Sequence, residues 1–100
     1  DLFAFIQKIG EEPAQYFTKM AERGIFWEMN VNYDSIHNYR EHGYVLRFWE
    51  DTEQQRIVRE SGVKLCVGFD GHRVEEYRSD RVKDACERIR KMGIGMIFEA

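Results

Sequence analysis

The chain has 100 residues, of which 43% are apolar and 14% aromatic, with a single proline. A disordered protein would contain far fewer aromatic residues, so this composition indicates one small globular domain or a piece of a larger one. The net charge of −3, with both signs well mixed, gives no general reason to expect nucleic acid or an anionic membrane as a partner.

No stretch of the chain has the pattern of a membrane or targeting segment. No apolar run approaches the roughly 20 residues that are needed to span a bilayer. The first ten residues, DLFAFIQKIG, lack a basic region and do not begin with methionine, so they do not have the pattern of a signal peptide. We therefore predict a cytoplasmic protein whose first residue here lies inside a longer chain.

Two helices are predicted first. Gly10 is a plausible stop for the first of them, since glycine favours helix ends. The apolar residues that recur at helical spacing before it are Leu2, Phe5, Ile6 and Ile9. The second helix begins near Pro13, whose missing N–H is no loss in a first turn, and ends at Gly24.

The segment IFWEMNVN, residues 25–32, is predicted to be a strand by its composition and alternation. Alternation puts Trp27, Met29 and Val31 on one face, and Phe26, Glu28 and Asn30 on the other. In so apolar a strand, the face that carries Glu28 and Asn30 must be exposed to solvent or must lead to a polar site. Alternatively, Glu28 is an interior carboxylate satisfied by hydrogen bonds.

Residues 33–51 are the least regular part of the sequence, and we predict some helix there with a turn at Gly43. The next helix opens with Thr52 and Gln55 at the spacing of a capping box. Gly62 closes it, because glycine tolerates the left-handed backbone that often follows a helix.

A second strand is predicted at residues 63–70, VKLCVGFD, where nearly continuous apolar character favours burial on both faces. The clearest helix follows at residues 79–93, with Ser79 or Asp80 as its cap. Residues 94–98, IGMIF, are predicted to form a third short strand.

The two cysteines, Cys66 and Cys86, fall in a predicted strand and a predicted helix, and neither belongs to a CxxC pair. We expect buried free thiols in a reducing cytosol, with a disulfide or a ligand role as the alternative.

Helices and strands thus alternate along residues 1–100, which predicts βαβ units with right-handed crossovers in a single domain. Three strands make a small sheet for an independent α/β fold. A piece of a larger barrel, or an assembly that completes the sheet, is the more natural architecture. The strand edges and apolar helix faces of such a piece predict association, most simply as a symmetric homodimer.

The second strand ends in Asp-Gly-His, and alternation puts Cys66, Gly68 and Asp70 on one of its faces. In a parallel barrel, the inward face at the carboxyl end of a strand opens onto the active-site mouth. Gly71 permits a sharp turn that can swing His72 toward the same point. A carboxylate and an imidazole suit zinc, manganese or iron. The plainer alternative is a turn in which Asp70 caps the next helix and His72 is exposed to solvent.

Residues 60–94 resemble the end of the PHP family, the polymerase-and-histidinol-phosphatase phosphoesterases. The family commonly carries a helix ending in Gly-Val, an apolar strand, Gly-Ser-Asp-Ala-His, and a final helix ending in Gly-Phe or similar. Here these features read Gly62-Val63, then Gly68-Phe69-Asp70-Gly71-His72, then Met92-Gly93-Ile94. The upstream FWEMNVN is similar to the family's Glu-Ile-Asn strand, so the resemblance covers about residues 25–95.

This resemblance implies the C-terminal part of a distorted (β/α)₇ PHP barrel, with about three parallel strands alternating with helices. It implies hydrolysis of a phosphate monoester of the histidinol phosphate class by water activated at divalent metal ions, which are zinc, manganese or iron. In that picture Asp70 and His72 are metal ligands, and Asn30 and Glu28 line the barrel near the metals. Arg73, beside His72, is the candidate for binding the phosphate of a phosphorylated small molecule.

The chain also departs from the family pattern. The family's His-x-His segment is absent from it, and Phe69 and Gly71 replace the motif's serine and alanine. Two residues cannot hold a multinuclear cluster, so we expect an incomplete site and an inactive chain whose partner is the missing N-terminal part of the same barrel. The alternative from a different class is a small α/β interaction or regulatory domain without catalysis.

Overall fold

A computed structural model of the chain describes residues 2–31, 43–69 and 79–97, and the structural statements below concern these residues. Their helices and strands are α1 (Leu2–Lys8), α2 (Pro13–Glu22), β1 (Trp27–Asn30), α3 (Tyr44–Glu50), α4 (Thr52–Ser61), β2 (Leu65–Gly68) and α5 (Ser79–Met92). This part of the protein is a small mixed α/β domain that is mostly helical. None of its helices is long and apolar enough to cross a membrane.

The first two helices follow the sequence prediction. Pro13 lies in the first turn of α2, where a residue without an N–H loses no hydrogen bond. Gly10 and Gly24 follow α1 and α2 with φ angles of 76° and 71°. Because L-residues with a side chain rarely adopt such a backbone, these glycines end the two helices where the sequence predicts.

The capping box predicted at Thr52 and Gln55 is wrong. The residue that caps α4 is Asp51, whose carboxylate accepts a hydrogen bond of 2.9 Å from the backbone N–H of Gln54. Thr52 is already helical, and the side chain of Gln55 donates to two backbone carbonyls in the last turn of α3. The carboxylate of Asp51 therefore satisfies a backbone donor of α4 at the point where α3 ends.

We expect Asp51→Ala to lower the free energy of unfolding by about 1 kcal/mol, the usual cost of losing an N-cap side chain. Thr52→Ala is the matched control, and it should change the free energy by less than about 0.5 kcal/mol, as exposed substitutions usually do. Urea unfolding of both variants followed by circular dichroism measures the difference. Equal losses in the two variants would contradict the assignment of the cap.

Strands β1 and β2 pair in parallel. The register joins Trp27 to Leu65, Glu28 to Cys66, Met29 to Val67, and Asn30 to Gly68. In place of the predicted third strand at residues 94–98, the structure has one parallel bridge, between Leu65 and Met96. Residue 98 lies outside the described part. The backbone of Leu65 makes two hydrogen bonds of 2.9 Å to this segment, one with Gly95 and one with Ile97. Strand β2 therefore lies between β1 and residues 95–97, all running in one direction.

The hydrophobic core lies on one face of this small sheet. Both strands and all five helices contribute buried side chains to one cluster, which consists of Ile6, Phe17, Met29, Val45, Phe48, Val58, Val63, Leu65, Ile89 and Ile94. Trp27 and Val67 pack against the cluster and share a strand face with Met29 and Leu65. Cys66 and Gly68 on the opposite face are only half-buried, although the sequence predicts burial on both faces.

Helix α5 lies where the sequence predicts its clearest helix, and its Ala85 and Ile89 side chains are fully buried. Ser79 and Asp80 lie within this helix, so neither is a residue that precedes it as a cap. Asp80 in the first turn still complements the positive end of the helix dipole. The chain's two cysteines, Cys66 and Cys86, form no disulfide with each other and are half-buried rather than buried.

Candidate functional site

The parallel register joins the two polar patterns that the sequence predicts separately. Residues paired in register point to the same side of a sheet, so Glu28 and Asn30 of β1 share a face with Cys66 and Gly68 of β2. This is the face opposite the hydrophobic core. We call it the polar face, defined by Glu28, Asn30, Cys66 and Gly68.

The carboxylate of Glu28 lies across Gly68. A Cβ atom placed on Gly68 would lie 2.8 Å from both Cδ and Oε2 of Glu28 and 3.1 Å from Oε1. Side-chain atoms do not approach a Cβ so closely in real proteins, so glycine at this position is what leaves room for the carboxylate. The sequence alone does not predict that the Glu28 side chain fills the space at Gly68.

Asn30 holds this carboxylate from its own strand. The Asn30 side chain is only 5% exposed, and its Nδ2 donates a hydrogen bond of 3.4 Å to Oε1 of Glu28. Glu28 itself is exposed. The pair therefore presents an oriented carboxylate on the polar face, with a buried amide beside it.

Tyr44, the first residue of α3, contacts the backbone of the same strand. Its hydroxyl donates a hydrogen bond of 2.9 Å to the carbonyl of Glu28 and accepts one of 3.4 Å from the N–H of Asn30. Its ring stacks on Trp27, with the centroids 5.9 Å apart. Sequence reasoning missed this residue, because Tyr44 lies in the irregular segment and no periodic pattern links it to β1.

Arg81 brings a positive charge to the carboxyl end of β1. The N–H of Val31 donates to the carbonyl of Gly68 at 2.9 Å, which extends the pairing of the two strands by one residue. The guanidinium of Arg81, in the first turn of α5, donates to the carbonyl of Val31 at 3.4 Å. The sequence separation of 50 residues between them gives no signal that could have predicted this contact.

Two side chains on the surface of α4, Glu53 and Arg56, have pKa values shifted from their ordinary range. Arg56 bonds both Glu53 and Glu60. The hydrogen bond from Arg56 lowers the pKa of Glu53, and the bonds to Glu53 and then Glu60 raise the pKa of Arg56. All three side chains are well exposed, so these ion pairs contribute little stability. These ion pairs lie on the solvent-exposed face of α4 and are not part of the candidate site.

The metal ligands predicted from the sequence, Asp70 and His72, lie outside the described residues, as does the predicted phosphate-binding residue Arg73. Within the described ranges, no group of three or more histidine, cysteine, aspartate or glutamate side chains could hold a metal ion. Among the described residues, Glu28 offers carboxylate oxygens on the polar face, which are ligands of the kind that hard or borderline divalent metals take.

The structure thus brings together two of the five predicted site residues, Glu28 and Asn30, and places them beside the strand that leads to Asp70. In comparisons of the chain with family models, curated proteins and solved structures, no significant match was found.

Proposed function

We propose that the chain is the C-terminal part of a PHP-family metal-dependent phosphoesterase that hydrolyses a phosphate monoester, as histidinol phosphatases do. One observation carries the proposal. The strand with the Glu-x-Asn pattern lies parallel to the strand that leads to Asp70-Gly71-His72, with the carboxylate of Glu28 over Gly68. The Glu-x-Asn pattern and the strand that precedes Asp70-Gly71-His72 in the sequence therefore lie side by side, which supports the proposal.

The two faces of the sheet also support this proposal. In a parallel barrel the outer face of each strand is covered by helices, and the inner face opens onto the active site at the carboxyl ends. Here the helices pack against the face of Met29 and Leu65, and the other face carries Glu28 and Asn30. Since parallel strands end at the same edge of a sheet, the residues that follow Asn30 and Gly68 leave from one edge.

The proposal gives each predicted site residue a role. Asp70 and His72 hold a divalent metal, which is zinc, manganese or iron. Divalent metals, when bound, supply an activated water and stabilise charge on the phosphoryl oxygens. The Glu28 carboxylate, oriented by Asn30, lines the site and accepts hydrogen bonds there, and Arg73 binds the phosphate of the substrate through its planar guanidinium.

The chain by itself supplies too few ligands for this chemistry. Catalytic zinc sites normally have at least three protein ligands, and the Asp-x-His motif contributes two. Under this proposal the remaining ligands come from the N-terminal part of the same barrel. The chain studied in isolation would then be inactive and would bind metal weakly.

Self-association of the isolated chain is part of the proposal, because a piece of a barrel leaves apolar surface uncovered. Apolar side chains that are close to half exposed occur on α1 and directly after it, on α3, and just before β1. They are Phe5, Ile9, Ile25, Phe26 and Leu46. A symmetric homodimer would cover the same patch on both copies.

A phosphatase assay of the full-length parent protein tests the proposal, with Mn²⁺ or Zn²⁺ added and with histidinol phosphate and p-nitrophenyl phosphate as substrates. We expect metal-dependent hydrolysis. His72→Ala should lower kcat/KM by more than the roughly 10- to 100-fold that is typical when a hydrogen-bond partner of a metal ligand is lost.

His37→Ala is the matched control, since this histidine lies outside the Asp-x-His motif, and it should retain activity close to that of the wild type. A parent protein without metal-dependent phosphatase activity, or equal effects of the two substitutions, would instead favour the small interaction or regulatory domain.

A further inference from the structure

Residues 95–97 lie beside β2 through two backbone hydrogen bonds with one residue. The carbonyl of Gly95 and the N–H of Ile97 both bond the backbone of Leu65, each at 2.9 Å. Since successive residues direct their backbone groups to alternate sides, the N–H and the carbonyl of Met96 point away from β2. Within the described ranges, no backbone hydrogen bond reaches either of these two groups. They form an open edge of the sheet, which we call the Met96 edge.

An apolar cleft of about 180 Å³ lies beside this edge, at the amino ends of β1 and β2. Ile97 lines it together with Ile25 and Phe26, which are 48% and 44% exposed. Strand alternation places Phe26 on the same face as Glu28. Alternation also places Ile97 on that face, because its neighbour Met96 packs against the core. The cleft is therefore part of the sheet surface that also carries the polar face.

The cleft has room for one large apolar side chain. A cavity of roughly 150 Å³ with an apolar lining is large enough to hold benzene. Lys64 also lines the cleft, and its Cγ would lie 3.4 Å from a Cβ placed on Gly95. The methylene carbons of this lysine thus lie along Gly95, where they add apolar surface while the ammonium group stays in water.

This face of the sheet therefore changes in character along the strands. It is apolar at the amino ends, with Phe26, and polar toward the carboxyl ends, with Glu28 and Asn30. In a parallel barrel, inward side chains fill the interior in packed layers, and the carboxyl ends of the strands open onto the active site. The cleft has the position of an interior layer that lacks some of its side chains.

We infer that the Met96 edge and the cleft form one interface, and that its occupant is a strand from the N-terminal part of the parent protein. This inference rests on the proposed function, which supplies such a part. The strand pairs with the N–H and carbonyl of Met96, since open edges are templates for strand pairing. It also places one large apolar side chain in the cleft against Phe26 and Ile97. A second copy of the chain takes this place only when the N-terminal part is missing.

Thiol labelling of the full-length parent tests the cleft. Phe26→Cys is compared with Leu46→Cys, a matched control because Leu46 lies on α3 outside the cleft and is 45% exposed. The variants are treated with N-ethylmaleimide, and peptide mass spectrometry separates the introduced thiols from Cys66 and Cys86. We expect the thiol at position 26 to react at least about tenfold more slowly than the one at position 46, because a packed thiol reacts only through local opening.

Hydrogen exchange of the wild-type parent tests the edge without any substitution. The amide of Met96 should be protected at a level comparable to that of Ile97, which bonds to Leu65. Equal labelling at positions 26 and 46, or exchange of the Met96 amide at the rate of an exposed loop amide, would overturn the inference. Protection that grows with protein concentration would also overturn it, because the occupant would then be a second copy.

Neither measurement depends on metal or on activity, so the inference and the proposed function can fail separately. An active parent in which position 26 and the Met96 amide are both exposed would contradict this inference alone. An inactive parent in which both are protected would support this inference and contradict the proposed chemistry.

Discussion

Phe17→Ala should lower the free energy of unfolding by about 3–5 kcal/mol, the usual cost of removing a buried phenylalanine ring. Phe17 is fully buried. Its ring lies 5.1 Å from that of Phe3 and 5.4 Å from that of Trp27, measured between centroids. The substitution thus leaves a cavity where α1, α2 and β1 meet. Because domains are typically stable by only about 5–15 kcal/mol, we expect it to remove about a fifth or more of the total.

Phe5→Ala is the control for this prediction, since Phe5 on α1 is 50% exposed. This substitution should lower the free energy of unfolding by less than about 1 kcal/mol. Urea unfolding of the two variants gives the comparison, with the midpoint falling for Phe17→Ala and the slope unchanged. Similar midpoints for the two variants would show that Phe17 is not in the core of the folded chain.

Gly68→Ala should displace the carboxylate of Glu28 while leaving the fold intact. The added Cβ would lie 2.8 Å from Glu28 Cδ, but the colliding group ends an exposed side chain that can swing away. We expect a loss of less than about 1 kcal/mol in unfolding free energy. Under the proposed function, we expect kcat/KM of the full-length phosphoesterase to fall by about 100-fold, the cost of misplacing a site group by about 1 Å.

The Glu28→Ala protein, which lacks the carboxylate, is the control that separates the clash between the added Cβ and Glu28 from other effects of Gly68→Ala. In Glu28→Ala, the change from Gly68 to alanine should have little further effect on kcat/KM, because no carboxylate remains to be displaced. Equal effects of Gly68→Ala in the wild-type and Glu28→Ala proteins would show that the close approach of Glu28 to Gly68 has no part in the activity.

Much of the local structure can be predicted from the sequence because it depends on neighbouring residues. The apolar spacing of α1 and the proline at the start of α2 identify these two helices, and the left-handed glycines after them mark where they end. Alternation along residues 27–31 correctly separates Met29 and Val31 from Glu28. The error at the start of α4 is also local, since Asp51 and Thr52 are both good capping residues and the sequence alone does not choose between them.

The arrangement of the candidate site could not be predicted in the same way, because it depends on contacts between distant parts of the chain. The pairing of Asn30 with Gly68 puts the two polar patterns on one face, and no periodicity within either strand sets that register. The contacts of Tyr44 with β1 and of Arg81 with Val31 arise from the docking of α3 and α5. Sequence reasoning can name Glu28 and Asn30 as polar strand residues, but not what holds them in place.

The most direct test of the central claim is a crystal structure of the parent protein soaked in Mn²⁺, with anomalous data collected at the manganese absorption edge. We predict an anomalous peak within bonding distance of the Asp70 carboxylate and the His72 imidazole, at the strand edge that the Glu28 side chain lines. A parent structure in which those two side chains point apart, or in which manganese binds away from the carboxyl ends of β1 and β2, would contradict the account.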